Sequence, residues 1–207
     1  MGSHEKTVRD GIEQLNLSVS KHSQCLMLKY LELLQKWNKV FNLTAIRNID
    51  KMIAYHLLDS LSIIPYITGK TVLDVGSGSG LPGIPLALVL ANTQFTLVDS
   101  NGKKTRFLNQ VVAELGLNNV QVLNCRIEQY NNNKGFDSIV CRAYTSLGAF
   151  IKDCESVANS SSDFLAMKGV IPDLEIKGLA DDFDIKIIPL QVPRVEGQRH
   201  LIIANKK

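Results

Sequence analysis

No stretch of this 207-residue chain approaches the roughly eighteen uninterrupted apolar residues of a membrane-spanning helix. The richest run, around Leu81 to Ala91, is far too short, so no membrane partner is expected. The N-terminus, Met1-Gly-Ser-His-Glu-Lys6, has neither an apolar core nor a cleavage site, which argues against a secretory signal, and its first four residues are given no weight. Cysteine is sparse. Cys25, Cys125, Cys141 and Cys154 are widely spaced, with no CxxC and no neighbouring His pair, so zinc-knuckle and thioredoxin chemistry are excluded and no metal is expected. Such thiols read as buried residues of a reducing compartment, and the protein is expected in the cytoplasm. An excess of one charge is missing too: 23 basic against 20 acidic side chains leave +3. That is compatible with nucleic acid but does not demonstrate it, so any RNA argument must come from local placement. Internal repeats, low-complexity tracts and long Pro/Gly/Ser linkers are absent as well.

What is present is an ordinary globular composition, 45% hydrophobic and 21% charged, that changes character near residue 70. Before it, apolar residues recur at helical spacing. Leu26, Tyr30, Leu33/Leu34, Trp37 and Phe41 form one stripe, and Ile53, Leu57, Leu61 and Ile64 another. Asp50 is expected to cap the second helix and Pro65 to stop it. Residues 1–68 therefore read as a helical cap packed on residues 69–207 rather than folding alone. After residue 70, short β-rich runs alternate with amphipathic segments. Strands are expected at 71–75, 95–98, 120–123, 138–141, 163–167, 184–190 and 200–203, with helices near 82–90, 103–115 and 147–157. The alternation implies βαβ units in a mostly parallel sheet, and the last two strands imply an antiparallel hairpin at one edge. The reading is a doubly wound α/β domain, seven-stranded, with an N-terminal helical cap.

The segment Thr71-Val-Leu-Asp-Val-Gly-Ser-Gly-Ser-Gly-Leu-Pro-Gly83 carries the most chemistry. Strand, glycine-rich turn and helix start place a ligand at the carboxyl end of the first strand. A plain tight turn accounts poorly for four glycines in residues 76–83, because each costs chain entropy on folding. Two cofactors compete. Gly78-Ser-Gly80-Leu-Pro-Gly83 fits the G-x-G-x-x-G of dinucleotide sites. Asp74-Val-Gly76-Ser-Gly78-Ser-Gly80 fits the acidic glycine motif of S-adenosylmethionine (SAM) methyltransferases. Charge favours SAM, since a pyrophosphate is repelled by an adjacent acid, whereas a sulfonium and an ammonium are not. Asp99, ending the second strand, suits ribose hydroxyls in either case and does not discriminate. A dinucleotide-binding oxidoreductase stays open as the alternative, as does a SAM enzyme for another RNA, a protein or a small molecule.

Further motifs stand in order along the chain: Trp37-Asn-Lys-Val-Phe-Asn-Leu-Thr44, His56-Leu-Leu-Asp-Ser60, the glycine loop through Pro85, Asp99-Ser-Asn-Gly-Lys-Lys104, Cys141-Arg-Ala143, Met167-Lys-Gly169 and Arg199-His-Leu201. From about residue 30 to the C-terminus the sequence resembles the bacterial small-subunit rRNA methyltransferase G family, also called glucose-inhibited division protein B. The resemblance implies a class I SAM-dependent methyltransferase with a Rossmann-like sheet. It implies methylation of N7 of a guanine in the 530 loop of 16S rRNA, on the free RNA or the small ribosomal subunit. A monomer with no obligate protein partner is expected. By motif position, Gly76 and Leu81 would contact SAM, Ile127 and Glu128 would flank the adenine, and Arg142 would sit between cofactor and substrate. With Asp74, Gly78 and Asp99 these complete the expected cofactor site. Two positions depart from the family: Cys141 stands where Ser is usual, and Ser79 where Ala or Pro is. A covalent role for Cys141 lacks the catalytic base and Pro-Cys context such chemistry needs.

The RNA side is less distinct. Lys168 follows a strand at the ligand edge and Arg194 and Arg199 bracket the terminal hairpin, which makes them phosphate-contact candidates. Lys103, Lys104 and Arg106 start a helix and read equally as a solvated face. Asn42 could reach the guanine or cap its helix. His56 and Asp59, three apart on one helix, could bond each other or face the substrate. Trp37 is most simply core. No catalytic general base is expected, because guanine N7 carries a lone pair and no proton; Arg142, Asn42 and Lys168 are expected to position the reactants.

Overall fold

The computed structural model describes residues 2–132 and 134–207. Seven strands, β1 (Thr71–Val75), β2 (Gln94–Val98), β3 (Val120–Leu123), β4 (Phe136–Arg142), β5 (Ala158–Lys168), β6 (Phe183–Pro189) and β7 (His200–Lys206), form one sheet. Their order is β3-β2-β1-β4-β5-β7-β6. The first five run parallel, and β7 lies antiparallel between β5 and β6. The connection leaving β1 goes toward β2 and that entering β4 returns to the other side of β1. The crevice at the carboxyl ends of β1 and β4 is therefore the place where an open sheet of this kind takes a ligand.

The helices are α1 (Ser3–Gln14), α2 (Lys21–Phe41), α3 (Ile49–Met52), α4 (Asp59–Leu61), α5 (Gly83–Val89), α6 (Gly102–Leu115), α7 (Leu147–Cys154) and α8 (Asp173–Lys177). Between α3 and α4 the chain stays helical but widens to a π-helical turn over Ile53–Leu58. Strand alternation assigns the faces. On β1, Val72 meets α5, α6 and the N-terminal helices, while Leu73 and Val75 point to the opposite face and pack with Phe150 and Ile151 of α7. Val8, Met27, Leu31, Leu57 and Leu61 from the first 68 residues share one buried cluster with Val72, Leu86 and Phe107. Each such side chain contributes about 1.5–3 kcal/mol by leaving water, so cap and sheet are joined by a common core. Trp37, beside Phe41 and Phe107 at ring distances of 5.1 and 5.7 Å, packs at the edge of that core.

The boundaries differ from expectation in places. The helix expected to start at Asp50 is capped by Asn48, whose side-chain oxygen accepts from the Lys51 amide at 3.0 Å. Asp50 lies in the first turn, where its charge suits the helix dipole. Helix α1 escaped the sequence reading because few of its side chains are apolar; Val8 and Ile12 become core only against the neighbouring helices. Gly11 lets α1 approach so closely that a Cβ there would stand 2.4 Å from the Leu58 side chain. Strand β5 starts at Ala158 rather than 163, past an irregularity opposite Phe136 and Ser138, and β7 runs on to Lys206. The short α8 had no periodic pattern to announce it.

Candidate active site

Two cavities open side by side at the carboxyl ends of the strands. The first, of about 280 Å³, lies over the loop after β1. Gly76 and Gly78 take φ of +68° and +60°, the left-handed region that side chains disfavour. A Cβ on Gly76 would meet nothing closer than Tyr144 at 3.9 Å, so its missing side chain leaves free space on the cavity wall. Gly80 and Gly83 are glycine for a different reason: a Cβ would stand 2.5 Å from Ile84 and 2.6 Å from Asp74 respectively. The loop's amides are spent internally. Gly76 and Ser77 donate to the Val98 carbonyl (2.8 and 3.1 Å), Gly80 and Leu81 to that of Ser77, and Gly78 to Asp99 Oδ2 at 2.9 Å. From the cap, the Tyr30 hydroxyl donates to the Ser79 carbonyl at 2.7 Å and pins the loop from behind.

Asp74 sits beneath this loop and not in the cavity. It is fully buried, its Oδ2 accepts from the Gly83 amide at 2.8 Å, and its Oδ1 has no hydrogen-bond partner among the described residues. Burial pushes its pKa up to about 7, partly opposed by the Gly83 hydrogen bond. Asp74 thus occupies the N-terminus of α5, the position a pyrophosphate needs, and the amides of Gly76, Ser77, Gly78, Gly80 and Leu81 above it are already taken. This arrangement rejects a dinucleotide. A cofactor that carries hydroxyls and positive groups fits it: Asp99 and Glu128 offer carboxylates, Ile127 an apolar wall, and Gly76 room for close approach. Lys104, read from sequence as a solvated or RNA-facing cation, lines this cavity and pairs with Asp99 at 3.5 Å. Leu81, expected at the cofactor, turns its side chain into the core at 3% exposure. Cys125 and Tyr144 line the cavity and no sequence pattern singled them out.

The second cavity, about 530 Å³, is walled by the loop after α2, the π-helical turn, the ends of β4 and β5 and the start of β7. Here Arg142, Lys168, Arg199 and His56 come together, as candidates scattered over 140 residues of chain. His56 does not bond Asp59. Its Nε2 pairs with Thr44 Oγ1 at 2.9 Å, and its buried Nδ1 has no hydrogen-bond partner among the described residues. Burial, and then the charge of Arg142, lower its pKa to about 4, so it is a neutral hydrogen-bonding group near pH 7 and not a phosphate-binding cation. Asp59 instead takes both arginines, with Arg142 Nη1 at 3.4 Å and Arg199 Nε at 3.2 Å. Lys168 Nζ donates to the Tyr144 carbonyl at 3.4 Å.

Two candidates stay outside. Arg194 is exposed on the β6–β7 connection with φ +62°. Asn42 ends α2 in the left-handed conformation (φ 49°), so of its two readings the capping one is what the backbone adopts. Lys103 and Arg106 are exposed on α6. Cys141 is buried in the core, which pushes its thiol well above the ordinary range and leaves it inert as a nucleophile. The two cavities share one wall. After β4 the chain turns at Ala143 (φ +62°), with Arg142 and Ala143 facing the second cavity and Tyr144 the first.

A family model described as rRNA small subunit methyltransferase G matches residues 23–202. A ribosomal RNA small subunit methyltransferase G from Marinomonas sp. is 44% identical over 206 residues, covering 99% of each chain. One from Stutzerimonas stutzeri is 47% identical over 207 residues, covering 99% of this chain and 96% of that protein. Among solved structures, a SAM-dependent methyltransferase from Aquifex aeolicus aligns with a TM-score of 0.56 at 20% identity, over 72% of this chain and 89% of the other. A tRNA (m1A58) methyltransferase from the same organism aligns at 0.59 and 13% identity, over 72% and 68%. At those identities the likeness shows the fold: a class I SAM-dependent methyltransferase.

Proposed function

The chain belongs to the rRNA small subunit methyltransferase G family, is a SAM-dependent rRNA methyltransferase, and we propose on that premise that it methylates N7 of a guanine in the 530 loop of 16S rRNA. The observation that carries this reading is the shared wall of the two cavities. Cofactor and acceptor can sit on opposite sides of residues 142–144. SAM, when bound, supplies a methyl group on an electrophilic sulfonium. Gly76 would give it room, Asp99 and Glu128 would accept from its hydroxyls, and Ile127 would cover its adenine. Gly78 and Asp74 act from behind, one by fixing Asp99 and the other by holding the start of α5. Arg142 orients the acceptor, and Lys168, Arg194 and Arg199 take RNA phosphates, Arg194 from outside the cavity. Residues 1–68 serve as a cap that completes the acceptor cavity, and 69–207 as the methyltransferase domain. The protein works as a monomer in the cytoplasm on RNA of the small ribosomal subunit. No helix among the described residues is long and apolar enough to cross a membrane.

The chemistry demands alignment and tolerance of positive charge on the methylated base, not proton removal. The second cavity agrees: of its two buried imidazoles, His56 is charged only below about pH 4 and pairs with Thr44, while His200 donates from Nδ1 to the Gly169 carbonyl at 3.1 Å, and neither is bonded to an Asp or a Cys. The test is transfer of labelled methyl from SAM to small-subunit RNA from cells lacking the modification, with the modified base located by mass mapping. Single-turnover transfer at saturating SAM should be flat between about pH 6 and pH 9. Arg142→Ala should slow it about tenfold to a hundredfold without creating a pH dependence. Label on an exocyclic amine, or an ionisation in the chemical step, would refute the N7 assignment.

A further inference from the structure

Asp59 is 4% exposed, yet it is the one carboxylate facing two guanidinium groups in the wall of the acceptor cavity. The three residues come from distant parts of the chain: Asp59 from the cap, Arg142 from the end of β4, Arg199 from the approach to β7. The arginine side chains are 23% and 26% exposed and the carboxylate 6%, so the acid lies behind and the two cations in front. Each arginine has a second tether on the same helix. Arg142 Nη1 donates to the Tyr55 carbonyl at 2.9 Å, and the Arg199 guanidinium lies 5.7 Å from the centre of the Tyr55 ring. Tyr55 lies in the π-helical turn. The Asp59 amide bonds back five residues to the Ala54 carbonyl, and Tyr55 and Asp59, four apart, share one side of this helical stretch. Single π turns of this kind recur at functional sites.

We propose that Asp59 is a positioning residue, whose carboxylate fixes Arg142 and Arg199 as the floor of the guanine-receiving cavity and withholds one unit of positive charge from RNA phosphates. The proposal rests on the rRNA methyltransferase reading and adds a device to it. Two unshared guanidinium groups at this spacing would repel each other and grip any phosphate that came near. Sharing one buried carboxylate makes them rigid and less adhesive, so Arg199 meets an RNA phosphate with only part of its charge while the base is received within the cavity. A salt bridge that merely holds the cap down has a different signature: its loss lowers stability and activity together and leaves RNA binding unimproved.

Asp59→Asn in the full-length protein separates the two. We expect unchanged SAM affinity by calorimetry. We expect small-subunit RNA to bind more tightly at low salt, with a log–log salt slope steeper by about one unit. Single-turnover transfer at saturating RNA and SAM should fall about tenfold to a hundredfold. Weaker RNA binding, or an unchanged slope with transfer at the wild-type rate, overturns the proposal. Should that variant not fold, Asp59→Asn combined with Arg199→Gln removes one charge of each sign. It should keep the wild-type slope and still transfer slowly, and a wild-type rate would overturn the idea. Wild-type protein that binds this RNA without methylating it would instead refute the functional reading, and the two salt slopes would still decide the role of Asp59.

Discussion

The two cavities are built on opposite principles. The cofactor cavity is made by consecutive βα turns of one sheet, from Val75 to Tyr144, and its groups sit where strands end: Gly76 after β1, Asp99 after β2, Ile127 and Glu128 after β3. Its geometry is held mainly by main-chain amides: Asp99 accepts from those of Gly78 and Asn101 and keeps Lys104 at 3.5 Å, and beneath the loop Asp74 accepts from that of Gly83. The acceptor cavity is assembled from the cap, two strand ends and the terminal hairpin, and its polar groups are held by side chains: Thr44 to His56, Asp59 to two arginines. A backbone-held site is rigid once the sheet forms. A side-chain-held site depends on three chain segments keeping their mutual position, and charge rather than main-chain geometry does the holding. The contrast teaches that this enzyme fixes its cofactor by local structure and its substrate by long-range structure.

The largest effect expected from this contrast is at Gly76. A β-branched side chain is strained at φ +68° and fills the cavity wall, so Gly76→Val should lower SAM affinity more than about a hundredfold, some 2.7 kcal/mol. Calorimetry on folded protein checks it, and retained affinity would mean the cofactor lies elsewhere.

A smaller effect probes whether the halves are as separate as they look. Tyr30 belongs to the cap but bonds the cofactor loop at Ser79. Tyr30→Phe should cost about 1–2 kcal/mol of stability in urea unfolding, because a buried carbonyl loses its donor. It should also weaken SAM binding a few-fold while leaving the RNA salt slope alone. A shifted salt slope with unaltered SAM affinity would show that the cap serves the acceptor side only.

The smallest effect distinguishes the halves by the sign of a pH response. Asp74, raised to about 7, binds a proton in the native state that the unfolded chain releases near pH 4, so its contribution makes stability fall as pH rises from about 4 to 7. His56, lowered to about 4, is proton-free in the native state where the unfolded chain is protonated, so its contribution falls as pH drops below about 6.5. The two oppose each other in the shared window. Asp74→Asn should leave a melting temperature that climbs from pH 4 to about 6.5 and then levels, and His56→Gln one that declines toward pH 7. Parallel curves for both variants and the wild type would show that neither group titrates in that window.

Much of the cofactor side was legible in the chain because its information is local. The alternation of β1 and the glycines that follow announce strand, turn and cavity within thirteen residues. Asp99 and Glu128 follow by counting strand ends, and Ile127 comes with the family resemblance. Even there, Asp74 looked like a ligand and proved to be a support for α5, since sequence shows that an acid is present but not which face of the strand carries it under the helix. Lys104 was misplaced for a related reason: whether a cation at a helix start faces solvent or folds back onto Asp99 depends on the neighbouring loop. On the acceptor side Arg142, Lys168 and Arg199 were named, but Asp59 was read only beside His56, as its hydrogen-bond partner or as a substrate-facing group, because nothing in the sequence reveals an arginine arriving from 140 residues away.

What the sequence determined by itself was the βα alternation, the terminal hairpin, the glycine loop and the preference for a cationic cofactor over a pyrophosphate. Each of these rests on periodicity, on backbone freedom or on the sign of one charge, and all three act over a few residues. What only the tertiary structure decided was the partnership of side chains. It set Tyr30 on the loop, Asp74 under α5, His56 on Thr44 and Asp59 between two arginines. Those contacts join residues far apart in the chain, and their energies depend on burial that exists only once the cap has closed against the sheet.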